Sequence, residues 1–222
     1  MTELLLIRHG LPRAGVFDPG LSPEGTAQAE RLAAWLVHED LDALYTSPFQ
    51  RARETAAPLE RLTGLTATVL DDLREWDTDV SHPYTPPEQI RADDPRSVAM
   101  AEGRYEDFVP DLDWDDFRAR AARAMDTILD AHPGGRVAAV CHGGITNTYL
   151  ATVLGLAQMF WFHPGYTSVS RVRRMPGGRI VLHSVNETAH MVAERGAEPA
   201  EAANATQAAE TTATADTVDA VA

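Results

Sequence analysis

Two apolar runs in this chain of 222 residues stop in the same way, and that ending narrows the possible architectures sharply. Glu3-Leu4-Leu5-Leu6-Ile7-Arg8 runs into His9-Gly10, and Arg136-Val137-Ala138-Ala139-Val140-Cys141 runs into His142-Gly143-Gly144. Continuous apolar character, without alternation, marks strands buried on both faces, as in a parallel sheet covered by helices. Helical patterns lie between and after these runs. Ser22-Pro23 reads as an N-cap with proline at the first helical position, and Ala29, Leu32, Ala33 and Leu36 follow at helical spacing. A short strand is expected around Ala43-Leu44-Tyr45. Ser47-Pro48 then repeats the helix-start signature, and Gly64 ends that helix. Thr66 to Leu70 reads as a third strand, Trp114 to Ala131 as a helix, and Gly143 starts another. A final strand pair is expected at 167–174 and 179–185, joined by Pro176-Gly177-Gly178. Strands alternating with helices predict an α/β fold, a three-layer sandwich with a mainly parallel central sheet and helices on both faces.

The expected domain covers residues 1–193. Within it, 76–113 carries prolines, aromatics and carboxylates without periodicity and is read as an inserted cap segment. Residues 194–222 are mostly Ala, Thr and Glu. A tail of that composition buries too little apolar surface to offset its ordering entropy, so an acidic, disordered tail is expected.

In open α/β sheets ligands bind at the carboxyl ends of the strands. Three segments deliver polar residues there: Arg8-His9-Gly10, Ser47 to Arg51, and Cys141 to Gly144. Two arginines and two histidines thus meet at one sheet edge, where helix N-termini add N–H donors and positive dipole ends. Gly10, Gly143 and Gly144 let the backbone approach a ligand closely. Guanidinium forks match phosphate oxygens, so phosphate is the natural guest. A histidine with one ring nitrogen on a backbone carbonyl leaves the other free to attack phosphorus. Arg8, Arg51 and His142 are placed to neutralise the oxygens in such a transfer. The leaving oxygen also needs an acid. Glu75 is the first candidate, with Asp77 and Glu54 behind it.

Composition removes several competing chemistries. All 19 basic residues are arginine, so Schiff-base and P-loop lysine mechanisms are impossible. A net charge of −14 argues against nucleic acid or an anionic membrane as partner. Cys141 is the one cysteine, which rules out an intramolecular disulfide and suits a reducing compartment. The N-terminal apolar run is too short for a signal peptide or a membrane span, and a cytoplasmic protein is expected. A cysteine-phosphatase reading of Cys141 fails because Asn147 stands where its arginine is needed. Cys141 is therefore assigned to the core. Two arginines beside His9 and His142 would repel a divalent cation, so neither a metal nor a cofactor is expected.

In combination, these segments resemble the histidine phosphatase (phosphoglycerate-mutase-like) superfamily. Arg8-His9-Gly10 resembles its signature tripeptide, and Leu21-Ser22-Pro23-Glu24-Gly25-Thr26-Ala27-Gln28-Ala29 is similar to its next segment. Ser47 to Ala56 resembles the block with the second phosphate arginine, Leu73-Arg74-Glu75 the proton-donor position, and His142-Gly143-Gly144 the second catalytic histidine. Asn186-Glu187-Thr188-Ala189-His190 resembles a C-terminal motif of structural role. The resemblance spans roughly residues 3–191. It implies that His9 is the phosphorylated nucleophile, that Glu75 and His142 are catalytic, and that Arg8, Gly10, Arg51 and Gly143 bind substrate. Many relatives carry a hydroxyl residue and an asparagine where this chain has Pro12 and Gly15, with Arg13 as a candidate replacement. The family's Gly-x-x-Glu-Gly run is replaced by Trp76-Asp77-Thr78-Asp79. Three functions remain open: a metal-independent phosphatase acting on a small phosphorylated metabolite through a phosphohistidine, a phosphoglycerate mutase, or a catalytically silent phospholigand-binding protein.

Overall fold

Leu4, Leu5, Leu6 and Ile7 are at most 1% exposed, which puts strand β1 (Thr2–Arg8) in the middle of the molecule. The computed structural model describes residues 1–76, 84–85, 90–104, 107 and 112–192. Among them the chain forms α1 (Pro23–Leu36), β2 (Ala43–Thr46), α2 (Gln50–Thr63), β3 (Thr68–Val69), α3 (Pro95–Ala101) and α4 (Trp114–Ala131). It continues with β4 (Arg136–Cys141), α5 (Gly143–Leu154), β5 (Val169–Arg174) and β6 (Ile180–Glu187). The described strands make a six-stranded sheet in the order β3-β2-β4-β1-β5-β6. β3, β2, β4 and β1 run parallel, whereas β5 and β6 add an antiparallel edge. The mainly parallel α/β architecture expected from the sequence is the one observed.

Alternate residues of the central strands feed two separate cores, as the two-residue period of a strand requires. Leu4, Leu6, Val137, Ala139 and Cys141 face one side, where they pack with Phe117, Met125 and Ile128 of α4 and Ile145 of α5. Leu5, Ile7, Ala138 and Val140 face the other, against Leu32 and Leu36 of α1 and Ala52 and Leu59 of α2. Burying each large aliphatic side chain stabilises the fold by roughly 1.5–3 kcal/mol, so the apolar runs alone commit β1 and β4 to the interior.

The helix starts differ from one another. For α1, Ser22 Oγ accepts the Gly25 N–H at 3.0 Å and Pro23 occupies the first turn, as expected. α2 does not start at Ser47-Pro48. Its N-cap is Phe49, which makes no side-chain cap bond, and Asp18 Oδ1 accepts the Gln50 N–H at 2.9 Å. Ser47 is fully buried, with its hydroxyl 2.8 Å from His142 Nε2, and it accepts the Phe49 N–H at 3.4 Å, ahead of the helix and not within its first turn. The third strand is also shorter than expected, reduced to two exposed residues at the sheet edge. Residues Met1–Met191 form one compact unit. Of the expected cap, 76–113, the described residues include 90–104, which carry α3, whereas 77–83, 86–89, 105–106 and 108–111 lie outside them, as does the whole of the expected tail, 194–222. No helix among the described residues is long and apolar enough to cross a membrane.

Gly25 shows why the segment before α1 has the sequence it has. A Cβ there would lie 2.0 Å from the Leu11 carbonyl oxygen, a backbone atom that cannot turn aside. The first turn of α1 therefore lies directly on the loop that leaves β1, and Gln28 Oε1 accepts the Leu11 N–H at 2.8 Å. Alanine is the better helix former in isolation. Even so, Gly25→Ala is expected to lower stability by about 2 kcal/mol through overpacking, measured by urea denaturation. A neutral or stabilising result would contradict the close approach.

Candidate active site

Arg8 and Cys141 are partners in the parallel β1–β4 ladder, and one residue further the His9 N–H donates to the Cys141 carbonyl at 3.0 Å. His9 and His142 thereby leave adjacent strands at the same level, with ring centroids 5.1 Å apart. Both rings are buried. His9 Nδ1 lies 2.7 Å from the Gly10 carbonyl oxygen. A carbonyl only accepts, so Nδ1 carries the hydrogen and the neutral ring keeps its lone pair on Nε2. His142 Nε2 lies 2.8 Å from Ser47 Oγ, and its Nδ1 is buried without a hydrogen-bond partner among the described residues. Burial above all, then the charges of Arg51, His9, Arg8 and Arg120, holds the His142 pKa well below the ordinary histidine value. The ring is neutral at pH 7.

Both arginines of the site are nearly buried and lie against aromatic rings. Arg8 Nη1 donates to the Pro164 carbonyl at 2.6 Å, and its guanidinium carbon is 3.9 Å from the centre of the Tyr166 ring. Tyr166 also lies 5.9 Å from the His9 ring. Arg51, in the first turn of α2, has its guanidinium carbon 4.7 Å from the Phe49 ring centre and 4.8 Å from that of Tyr84. Phe49 meets His142 edge-on at 5.3 Å. The rings attract the cations by their quadrupoles and exclude water around them. Thr55 joins the two halves of the site: its Oγ1 accepts the Gly10 N–H at 2.9 Å and donates to the Arg51 carbonyl at 2.7 Å.

Glu75 arrives from the segment after β3. Its Oε2 accepts the Gly144 N–H at 2.7 Å and its Oε1 the Trp76 N–H at 3.2 Å. A carboxylate suits the positive end of α5. Glycine at 144 is essential to this contact, because a Cβ there would lie 2.4 Å from Glu75 Oε1. At Gly143 a Cβ would stand 3.6 Å from Arg8 Nε, in ordinary contact. The structure thus brings His9, His142, Arg8, Gly10, Arg51, Gly143 and Glu75 to one place. The expected helix donors are partly taken up within the protein: Gly144 binds Glu75 and Gln50 binds Asp18.

Other candidates have different positions. Glu54 Oε2 accepts the Leu21 N–H at 2.6 Å and so holds the loop before α1, while Asp77 lies outside the described residues. Arg13 is exposed, with its Nη2 beside Gly20 and the Glu54 carboxylate. Cys141 is in the core, and burial pushes its thiol up to about 12. Asn147 Nδ2 donates to the Gly143 and Phe162 carbonyls, and its Oδ1 accepts the Trp161 and Phe162 N–H groups. It shapes the loop that ends at Pro164. The Asn186–His190 motif holds the next part of that loop. Asn186 Oδ1 accepts the Gly165 N–H at 2.8 Å, and His190 Nε2 lies 3.0 Å from Thr167 Oγ1.

Ser47, Thr55 and Tyr166 belong to the site although the sequence did not single them out. Thr55 had a legible signal, four residues after Arg51 on the same helical face. Ser47 was hidden behind a cap signature. No periodicity marks Tyr166.

The sequence model of the histidine phosphatase superfamily (branch 1) matches residues 4–188, and the chain belongs to that family. A bifunctional protein of Mycobacterium tuberculosis is 27% identical over 200 residues, covering 86% of this chain and 55% of that protein. The chain thus spans about half the length of the curated relatives it matches first. The solved structure of YhfR from Bacillus stearothermophilus is 27% identical, with a TM-score of 0.72 over 86% of this chain and 100% of that one. The mycobacterial glucosyl-3-phosphoglycerate phosphatase is 26% identical, with a TM-score of 0.70 over 84% of this chain and 99% of that one.

The depressed His142 pKa has a consequence for stability. The unfolded chain binds a proton below about pH 6.5 that the native ring refuses. Stability present above that pH is therefore lost as the pH falls through it, by up to about 1.4 kcal/mol per pH unit. His190, lowered by burial and then by Arg31, acts in the same direction. His142→Gln is expected to remove about one proton from this slope between roughly pH 6.5 and 5, measured by urea denaturation across pH. An unchanged slope would mean that His142 protonates normally.

Proposed function

We propose that the protein is a metal-independent phosphatase that hydrolyses phosphate monoesters through a phosphohistidine on His9. The observation that carries this reading is the His9 Nδ1 contact to the Gly10 carbonyl, 2.7 Å long, which turns the Nε2 lone pair toward attack inside a pocket of two buried arginines. Nε2 forms a bond to phosphorus as the ester P–O bond breaks. The imidazolium that results keeps its Nδ1 hydrogen on the carbonyl, which stabilises the new positive charge. Arg8 and Arg51 neutralise the phosphoryl oxygens. His142 supplies its otherwise unpaired buried Nδ1–H to one of them when Ser47 donates to Nε2. Glu75 takes up a proton as the anionic phosphate binds beside it and gives that proton to the departing alkoxide. A water then attacks phosphorus, the P–N bond breaks, and Glu75 recovers a proton from that water.

Hydrolysis is favoured over transfer to a second substrate by the relative whose printed name is a phosphatase, glucosyl-3-phosphoglycerate phosphatase. That likeness also supports a small phosphorylated metabolite as substrate. The arginines beside the histidines support chemistry without a divalent cation. One buried, free cysteine suits a reducing, cytoplasmic setting.

Hydrolysis of 4-nitrophenyl phosphate in EDTA is expected for the wild type and absent in His9→Ala. Activity that requires added metal, or that survives without His9, would overturn the mechanism. Gly144→Ala drives a methyl group into the Glu75 carboxyl and the edge of the Trp76 ring. It is expected to lower kcat on an alkyl phosphate by about 100-fold, as measured by phosphate release. Wild-type kcat in that variant would remove Glu75 from the reaction.

A further inference from the structure

We propose that Arg120 on α4 is a positioning residue for Glu75, holding the acid in place through the backbone beneath it; this rests on Glu75 being the proton donor. Arg120 Nη1 donates to the carbonyls of Asp72 at 3.1 Å and Arg74 at 2.5 Å, and Nη2 donates to that of Glu75 itself at 3.2 Å. These carbonyls follow one another through the short 3-10 turn Asp71–Leu73 and the residues just after it. Here the chain leaves regular structure and has no ladder to satisfy it. A planar guanidinium with five donors in a fixed fork suits such a set, and a flexible ammonium suits it less well.

Arg120 is itself anchored. Its guanidinium carbon lies 4.9 Å from the ring of Phe117, one helical turn back on α4, and Phe117 is 1% exposed in the core. The backbone of Glu75 is thereby tied to the same packed layer that holds α5. Glu75 must bring Oε2 within 2.7 Å of the Gly144 N–H at the start of α5, so its reach depends on where its own carbonyl is held. Burial lowers the proton affinity of Arg120, and the Glu75 charge is the largest opposing influence, ahead of Asp72 and Asp116. The cation and the carboxylate therefore feel each other as well as sharing a backbone segment.

A residue that merely closed a surface turn would affect all substrates alike. Positioning of an acid has a narrower signature, because a good leaving group needs little protonation and a poor one needs much. Wild type, Glu75→Gln, Arg120→Gln and Arg120→Lys are to be compared on 4-nitrophenyl phosphate and on glycerol 2-phosphate, with circular dichroism to confirm folding. Glu75→Gln is expected to lose about 100-fold in kcat/KM, which reports phosphoryl transfer to His9 and not the later hydrolysis, on the alkyl ester and far less on the aryl ester. Arg120→Gln is expected to lose about tenfold on the alkyl ester with less than about threefold on the aryl ester. Arg120→Lys should fall between that variant and wild type. If Arg120→Gln does not fold, the same ratio is read on Arg120→Lys, with a selective loss of about threefold expected. Equal losses on both esters, or a wild-type ratio in both Arg120 variants, would overturn the proposal while leaving Glu75 as the acid. An absence of selectivity in Glu75→Gln would overturn the acid and the positioning role together.

Discussion

The register of β1 on β4 is the constraint on which the site depends. Arg8 lies opposite Cys141, the His9 N–H bonds to the Cys141 carbonyl, and the next residue on each strand is therefore a histidine at the same height. A slip of one residue would turn Leu4 and Leu6 out of one core and into the other, and would separate the two rings along the sheet. The apolar packing on both faces thus resists the same displacement that would dismantle the pocket. Core and site share one ladder.

Holding two guanidinium groups in that pocket is costly, since each loses most of its water. The fold offsets this with aromatic faces: Tyr166 against Arg8, and Phe49 with Tyr84 against Arg51. Those rings come from irregular segments, so other side chains must hold the segments still. Asn147 and Asn186 do so by saturating loop backbone groups on either side of Pro164. Thr167 adopts a left-handed backbone at φ 57°, and His190 and the His9 carbonyl both engage it. A motif twenty residues or so downstream therefore reaches the reacting pocket through a loop. Its role is to hold shape.

Much of the fold was legible because its signals are local. Continuous apolar runs identified β1 and β4, Ser22-Pro23 identified the start of α1, and Gly64 the end of α2. The residues at the ends of the two central strands were legible for the same reason. A parallel sheet carries the ends of its strands to one edge, and the β1–β4 register then sets the two histidines side by side. The misreadings came where a local signal met a tertiary demand. Ser47-Pro48 has the composition of a helix start, yet the Ser47 hydroxyl lies against His142 and the helix opens three residues later, with Asp18 from a distant loop on its first N–H. β3 has β-branched residues, but with a partner on one side only it pairs through just Thr68 and Val69.

The sequence by itself determined the α/β class, the order of the elements and the arrival of Arg8, His9, Arg51 and His142 at one sheet edge, because periodicity and strand ends are properties of neighbouring residues. Tertiary structure alone decided which groups complete the pocket. Tyr166 over Arg8, Ser47 on His142, Gly144 beneath Glu75 and Arg120 under the Glu75 backbone are contacts between residues far apart in the chain. Each depends on a distance of a few ångströms across a packed interface, and no spacing along the chain encodes it.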